Sequence, residues 1–382
     1  MPESRVNVWV GGQRLDGATL TLLEHLEVRE SDSDPTAVAL RFRMVQMPDG
    51  AFRPADEDTL LPGVQLGVDV VAPGGLPRRL FQGYVTHLRP HYESIESNCY
   101  LEVLGMDVAV LMDAHERVVT WPDATDSDAA TQILESYGLR VEAETTVAQH
   151  AEDRQLLVQR GTDWAFVKKL ARRNGFQVWF EFDSDREDVF AWFKKPDISG
   201  TPQADLVLLQ EGQNLRWADV QYTGAGPLRY AGAAIDPLAK RLLRAEGDET
   251  SLALLGDEDA AQAVEDGLTA AGAGGAVALL RDAAPLDEAL SAEAIGATDR
   301  ARFVLELRGE LDPSLYRGLL RARRPVLVRG LGQRYSGVYY VQTVRTTLYE
   351  GALSQSFVAV RNATGQMGTE SFGQSAEEVP PA

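Results

Sequence analysis

One cysteine, Cys99, occurs in 382 residues. It forbids an intrachain disulfide and a cysteine zinc site, which suits folding in a reducing cytoplasm. Cys99 itself reads as a small buried hydrophobe rather than a reactive thiol. Basic charge is also scarce: 37 Lys and Arg face 57 Asp and Glu, a formal net charge of −20, and only five of the bases are lysine. Proteins that grip phosphates need the opposite balance, because Lys and Arg displace the counterions, so chain-wide nucleic-acid binding is disfavoured. No apolar run approaches the roughly 20 residues of a membrane span. The opening MPESRVNVWVGGQRLDG lacks the apolar stretch and cleavage site of a secretory signal and reads as a first strand.

Chemical motifs are missing as well. There is no nucleophile elbow, phosphate loop, zinc helix motif or redox pair. His87 and His91 stand four apart in HLRPH, but Pro90 and a strand context keep them off a common helix face. RGLGQRYSG lies between two alternating strands and reads as a hairpin turn, not a nucleotide loop. Acidic residues are too numerous for any two to be singled out as acid and base. No catalytic residue, cofactor or metal is expected, and no enzymatic activity.

What is present is mostly β pattern. RVNVWV and AVALRFRMV alternate, and VQLGVDVV, RLFQGYVTHL and CYLEVLGMD follow after a Gly- and Pro-punctuated loop. Six or so short strands over residues 5–110 argue a small barrel or sandwich, and so short a sheet favours closure. From residue 123 the character changes. DATDSDAATQILESYGL carries Ala130, Ile133, Leu134 and Tyr137 at helical spacing and stops at Gly138.

The run GTDWAFVKKLARRNGFQVWFE (161–181) then reads as a capped helix followed by a strand. Thr162 or Asp163 can cap it, Trp164, Val167, Leu170 and Ala171 form one apolar face, and Gly175 can close its C-terminus. Lys168, Lys169, Arg172 and Arg173 fall mainly off that face, where they read as a solvated surface, a weak docking surface for an acidic partner, or a phosphate contact. Phe176, Val178, Phe180 and Phe182 then alternate, and VFAWFKK can pair with them as a hairpin.

Beyond residue 203 the chain is β again, interrupted by an Ala/Gly-rich acidic region. No basic residue occurs between Arg244 and Arg281, and EGDETSLALLGDEDAAQAVEDG holds eight carboxylates without calcium-loop spacing, so a solvated insertion is expected. LDEALSAEAIGATDRA makes another helix. The final RRPVLVRG, YSGVYYVQTV and QSFVAVRNAT repeat the order of LPGVQLGVDVV, LFQGYVTHL and CYLEVLGMD, with Gly83 and Gly337 in matching places.

The run LLVQRGTDWAFVKKLARRNGFQVWFE resembles the signature segment of phage late control D proteins and of the hub portion of valine-glycine-repeat spike proteins. Asp163, Trp164, Phe166, Leu170, Ala171 and Gly175 fill its places, and Gly337, Tyr339 and Val341 match the closing strand. The resemblance covers most of the chain in element order, except the acidic stretch 240–285. It implies an α+β, mainly β fold: two related small β-barrel-like tube domains (1–115 and 203–364), an inserted helix-plus-hairpin α/β domain (116–202), a helical acidic insertion about 240–300, and a flexible tail 365–382.

By function it implies the central hub of a contractile-tail or injection-system baseplate, a homotrimeric ring joining a threefold spike to a sixfold tube. Its partners are then itself, a separate spike protein, the tail tube protein and tube initiator, and baseplate wedge proteins. DNA or cargo meets it only in passage through the channel, where an acidic wall lets it slide. Assembly takes place in the bacterial cytoplasm and the product resides in a virion tail or injection particle. Strand edges at 1–10 and 355–362 are the expected pairing sites between copies. A tail-associated cell-wall hydrolase and a nucleic-acid-binding module are the alternative readings.

Overall fold

The computed structural model describes residues 5–71, 77–153, 155–183, 186–248, 250–281, 284–316, 318–349 and 351–368. The first body is built from β1 (Arg5–Val10), β2 (Leu23–Ser31), β3 (Ala37–Arg43), β4 (Gln65–Val71), β5 (Pro77–His91) and β6 (Tyr100–Met106). Alternation decides which face is covered. In β3, Val38, Leu40 and Phe42 are buried while Arg41 and Arg43 are exposed, and the buried set joins Leu26, Leu66, Val68, Phe81 and Val103 in one core. Cys99 sits in this core, 2% exposed.

The second body comprises β7 (Glu116–Trp121), α1 (Asp126–Ser136), β8 (Arg140–Ala143), β9 (Leu157–Thr162), α2 (Asp163–Arg173), β10 (Gln177–Asp183) and β11 (Asp188–Lys194). Thr125 and Asp128 close a capping box on α1, and Gly138 follows it at φ 74°. Thr162 caps α2. Trp164, Val167, Leu170 and Ala171 meet Ile133, Leu134, Phe176, Phe180 and Phe193 in a separate core, which Val108 and Met112 also enter. β10 and β11 pair along their full length, and β8 adds in parallel to β11.

The third body holds β12 (Gln203–Val207), β13 (Leu215–Tyr222), β14 (Arg229–Asp236), β15 (Arg241–Glu246), α3 (Ala260–Ala270), β16 (Val277–Leu279) and α4 (Asp287–Ala301). It ends with β17 (Leu305–Leu311), β18 (Pro325–Arg329), β19 (Gly337–Tyr349) and β20 (Ala352–Arg361).

Six strands of the first body lie in the order β2-β3-β6-β5-β4-β1, and six of the third in the order β13-β17-β20-β19-β18-β12. Position for position these are the same strands counted along the chain. The two sets are fused into one 13-stranded sheet, because Thr343–Tyr349 of β19 lie antiparallel to Ser31–His25 of β2. Neither set closes on itself: the paired path ends at β13 on one side and at the two-residue strand beside β1 on the other. The expected closure of a short sheet is replaced by pairing with the other set, which satisfies the same exposed backbone groups.

Two further expectations change. Strand β20, which holds 355–361 of the expected edge 355–362, is no edge: β17 and β19 flank it, because the chain returns from the insertion as β17 and covers that side. β1 remains near an edge, facing only Gln13 and Arg14 on its outer side, while residues 1–4 lie outside the described residues. The insertion is not simply helical. It starts at Arg229 as a three-stranded sheet, β15-β14-β16, to which α3 and α4 are added. RGLGQRYSG is the expected hairpin connection, joining the antiparallel pair β18 and β19 through a single helical turn, Gly332–Tyr335. Of the expected tail, residues 365–368 are described and 369–382 lie outside the described residues.

Candidate functional site

The three bodies meet where β2 turns into β3. Glu30, 1% exposed, accepts from Arg321 Nε at 2.8 Å and lies 3.5 Å from Arg323. Arg323 also donates to the carbonyl of Ser31 at 2.6 Å. Its backbone is left-handed, φ 65°, a conformation uncommon for a side-chain-bearing residue and held here by buried bonds from its own side chain. Arg321 and Arg323 come from RARRP just before β18, whereas Glu30 and Ser31 end β2, so this cluster ties the second strand set to the first.

The α/β body closes the same seam from above. Gln177 at the start of β10 accepts from the Tyr340 hydroxyl at 2.7 Å and donates to Asp32 at 3.2 Å. Glu181 lies 3.7 Å from Arg324. Burial works to raise the pKa of Glu181, but Arg323, Arg321, Arg324 and Lys194 outweigh it and leave it below the usual carboxylate value. Trp179 stacks on Trp192 at 5.7 Å and 11°, with the Arg323 guanidinium 5.8 Å from its ring. Arg79 pairs with Asp69 and lies 4.6 Å from the Phe182 ring. Burial pushes Asp32 up to about 6 against the pull of Arg323. It does the same to Asp107, although the amides of Thr36 (2.6 Å) and Ala109 (3.1 Å) donate to that carboxylate.

Helix α2 carries the four basic residues singled out by sequence. They do not form one free face. Lys168 pairs with Asp34 at 3.1 Å, so this end of the helix docks on the chain's own β2–β3 turn. Lys169 and Arg172 are exposed, and the Arg172 carbonyl accepts from Arg300 at 2.9 Å. Arg173 turns inward, contrary to its expected place on the surface. It pairs with the fully buried Asp126 and reaches His150 Nε2 at 2.9 Å, while Asn174 donates to Asp126 at 2.7 Å. Burial lowers the pKa of Arg173 to about 10 and lowers that of His150. Just past α2, Gly175 packs on Gly296 of α4 so closely that a Cβ at Gly175 would lie 2.9 Å from the Gly296 Cα. His87 and His91 are strand residues on β5, and His91 stacks on Tyr100 at 4.7 Å.

The sequence reading missed Glu30, Arg321 and Arg323. RARRP was its available signal: three arginines beside a strand in a base-poor chain. What arrangement of this kind can do is mechanical. It fixes three bodies against one another through buried charge pairs and side-chain bonds, and no group of three or more His, Cys, Asp or Glu residues suited to a metal occurs among the described residues. No helix among the described residues is long and apolar enough to cross a membrane.

The family model of the Alg8 N-terminal domain matches residues 7–350, and the chain belongs to that family. No curated protein matches the sequence. Among solved structures the chain is similar to a tail protein from Neisseria meningitidis MC58, with a TM-score of 0.61 at 14% identity over 94% of this chain and 97% of that one. It is similar to the 43 kDa tail protein of prophage MuSo2 from Shewanella oneidensis, with a TM-score of 0.62 at 14% identity over 94% and 98%. A third likeness is to an E. coli component of the type VI secretion system, described as similar to bacteriophage T4 tail proteins, with a TM-score of 0.54 at 13% identity over 89% and 73%. At such identities these likenesses show a shared fold.

Proposed function

We propose that this member of the Alg8 N-terminal domain family is the central hub of a contractile-tail or injection-system baseplate, a scaffold rather than an enzyme. Three copies close into a ring that meets a threefold spike on one face and a sixfold tube on the other. The observation that carries this reading is the strand order traced twice in one chain. Three chains with two like modules each present six modules around an axis, which reconciles threefold and sixfold partners in one closed assembly. The shared fold of solved tail proteins points the same way, as does the resemblance of the 156–181 segment to late control D proteins.

On this reading the buried seam keeps the two modules at a fixed angle, as a ring of fixed radius requires. The spike, tube, tube initiator and wedge proteins are its partners, and DNA or cargo passes through without a binding site. The chain then resides in the tail or injection particle. Electron microscopy of the chain co-expressed with its spike protein tests the proposal. A threefold ring with six β modules about an axial opening is expected, and a chain that stays monomeric beside the spike would overturn it.

A further inference from the structure

His150 is 2% exposed and lies between α1 and α2. It stands in a two-residue strand, Gln149–His150, paired with Ala124–Thr125 just before α1. The segment leading to it is fixed on α1 as well, since Ser127 and Thr146 exchange bonds between amide and hydroxyl at 3.0 and 3.1 Å. Arg173 at the end of α2 donates to His150 Nε2 at 2.9 Å. An arginine can only donate, so Nε2 accepts and the ring proton sits on Nδ1, which is buried without a hydrogen-bond partner among the described residues. Asp126 of α1 also lies 2.9 Å from Nε2, but its carboxylate already accepts two bonds from Arg173 and one from Asn174. The imidazole is therefore a neutral acceptor in a closed polar cluster.

Helix α4 of the acidic extension is seated on both sides of this cluster. Ala148, two residues before the histidine, packs with Leu286 and Ala289 at the start of α4. Beyond Arg173, Gly175 meets Gly296 so closely that a Cβ on Gly296 would lie 2.5 Å from the Gly175 nitrogen, and Arg300 donates to the Arg172 carbonyl at 2.9 Å. Helix α4 thus bridges residues 148 and 175, whose spacing the Arg173–His150 bond sets. Protonation of the ring ends that bond. It directs an N–H from Nε2 at the Arg173 guanidinium and adds a second cation where water is excluded. The charges that face the ring are Asp126 from α1, already saturated by its donors, and Arg173 from α2; Ala124–Thr125 bring none, and Glu293 of α4 acts on Arg173. Burial holds the His150 pKa below its usual value.

We infer that Arg173, His150 and Asp126 form an acid-released latch that holds the acidic extension against the α/β body at neutral pH. The latch is internal to one chain and independent of the ring reading. With His150 in water the open state takes up its proton near 6.5, and the buried, closed state only at lower pH, so opening gains up to about tenfold per pH unit between the two. Asp32 and Asp107 respond the other way: burial raises both to about 6, so acid favours the closed seam. Hydrogen exchange on the full chain between pH 7 and 5, read by mass spectrometry and corrected for the intrinsic pH dependence of amide exchange, tests the latch. Protection of residues 286–301 should begin to fall below 6.5, by up to about tenfold per pH unit, while β2 and β19 at the seam keep theirs. His150→Gln, whose amide oxygen can replace Nε2 as acceptor without titrating, should keep α4 protected down to pH 5. Protection of α4 that is constant across the range, or lost equally in His150→Gln, overturns the inference. A wild-type His150 that titrates at or above 6.5 by NMR overturns it as well, whether or not the variant folds.

Discussion

The two strand sets share one order, although β1 lies antiparallel to β4 and β12 parallel to β18, and they differ most at one connection. In the first, β2 passes to β3 through residues 32–36; in the third body the equivalent step, from β13 to β17, takes the chain through residues 223–304. The short turn is tied down by its neighbours: Asp34 receives Lys168, Asp32 receives Gln177, and the Thr36 amide is held by Asp107. The long one is opened outward into the acidic extension. A strand order fixed by ladder pairing tolerates growth at a surface connection, since loop-closure entropy rises only slowly with length. The same connection therefore serves in one set as the seat of the α/β body and in the other as the root of a new surface.

Both sets also need a glycine at one place. Gly83 on β5 faces the end of β6, where a Cβ would lie 2.2 Å from the Met106 carbonyl oxygen. Gly337 on β19 faces the end of β20, where a Cβ would lie 2.4 Å from the Arg361 guanidinium, and its φ of 142° further excludes a side chain. At this place the first set presents backbone and the second a fully buried arginine that donates to the carbonyls of Leu255 and Ser336.

The comparison is broken most severely at the seam. Replacing Arg321 and Arg323 together by alanine strips Glu30 of both cations and leaves the Ser31 carbonyl without its arginine donor; unfolding in urea should show a loss of about 3–5 kcal/mol. By contrast Lys168→Ala, at an exposed pair, should cost about 0–1 kcal/mol in the same measurement. A protein lacking both arginines that is as stable as the wild type would show that the two sets do not depend on this cluster.

Next in size is the glycine pair. Gly83→Ala drives a methyl into backbone that cannot rotate away and should cost about 1–3 kcal/mol or more by thermal unfolding. Gly337→Ala should be at least as damaging, because it displaces Arg361 and strains φ as well. Equal tolerance of both would mean that the matched positions are coincidental.

The smallest effect is one of pH. Asp107 belongs to the first set's turn, and its raised pKa of about 6 means that the fold binds a proton which the unfolded chain, near 3.8, has already released. Its contribution to stability is therefore full below about 4 and is lost as pH rises through about 6. Asp107→Asn removes this dependence, so the stability of the wild type relative to the variant should fall across that window. A constant difference from pH 4 to 7 would contradict the assignment.

Period-two alternation, the Thr162 cap and the apolar stripe of α2 were legible in the sequence, because they depend on residues at most a few places apart. The duplicated order showed as a faint repeat around Gly83 and Gly337. The inward turn of Arg173 was not legible. Its partner Asp126 lies 47 positions away, and a basic residue at the end of a helix reads as solvated until the packed neighbour is known.

Local pattern thus determined the strands, the capped helices and the acidic interruption, since each follows from side-chain spacing and backbone geometry. Only the tertiary structure decided that the two strand sets share one sheet, that β20 lies inside it, and that the seam is sealed by Glu30, Arg321 and Arg323. Those outcomes depend on which edges meet across some 300 residues of chain, where the hydrogen bonds of a β edge accept any properly spaced strand and side-chain burial selects among them.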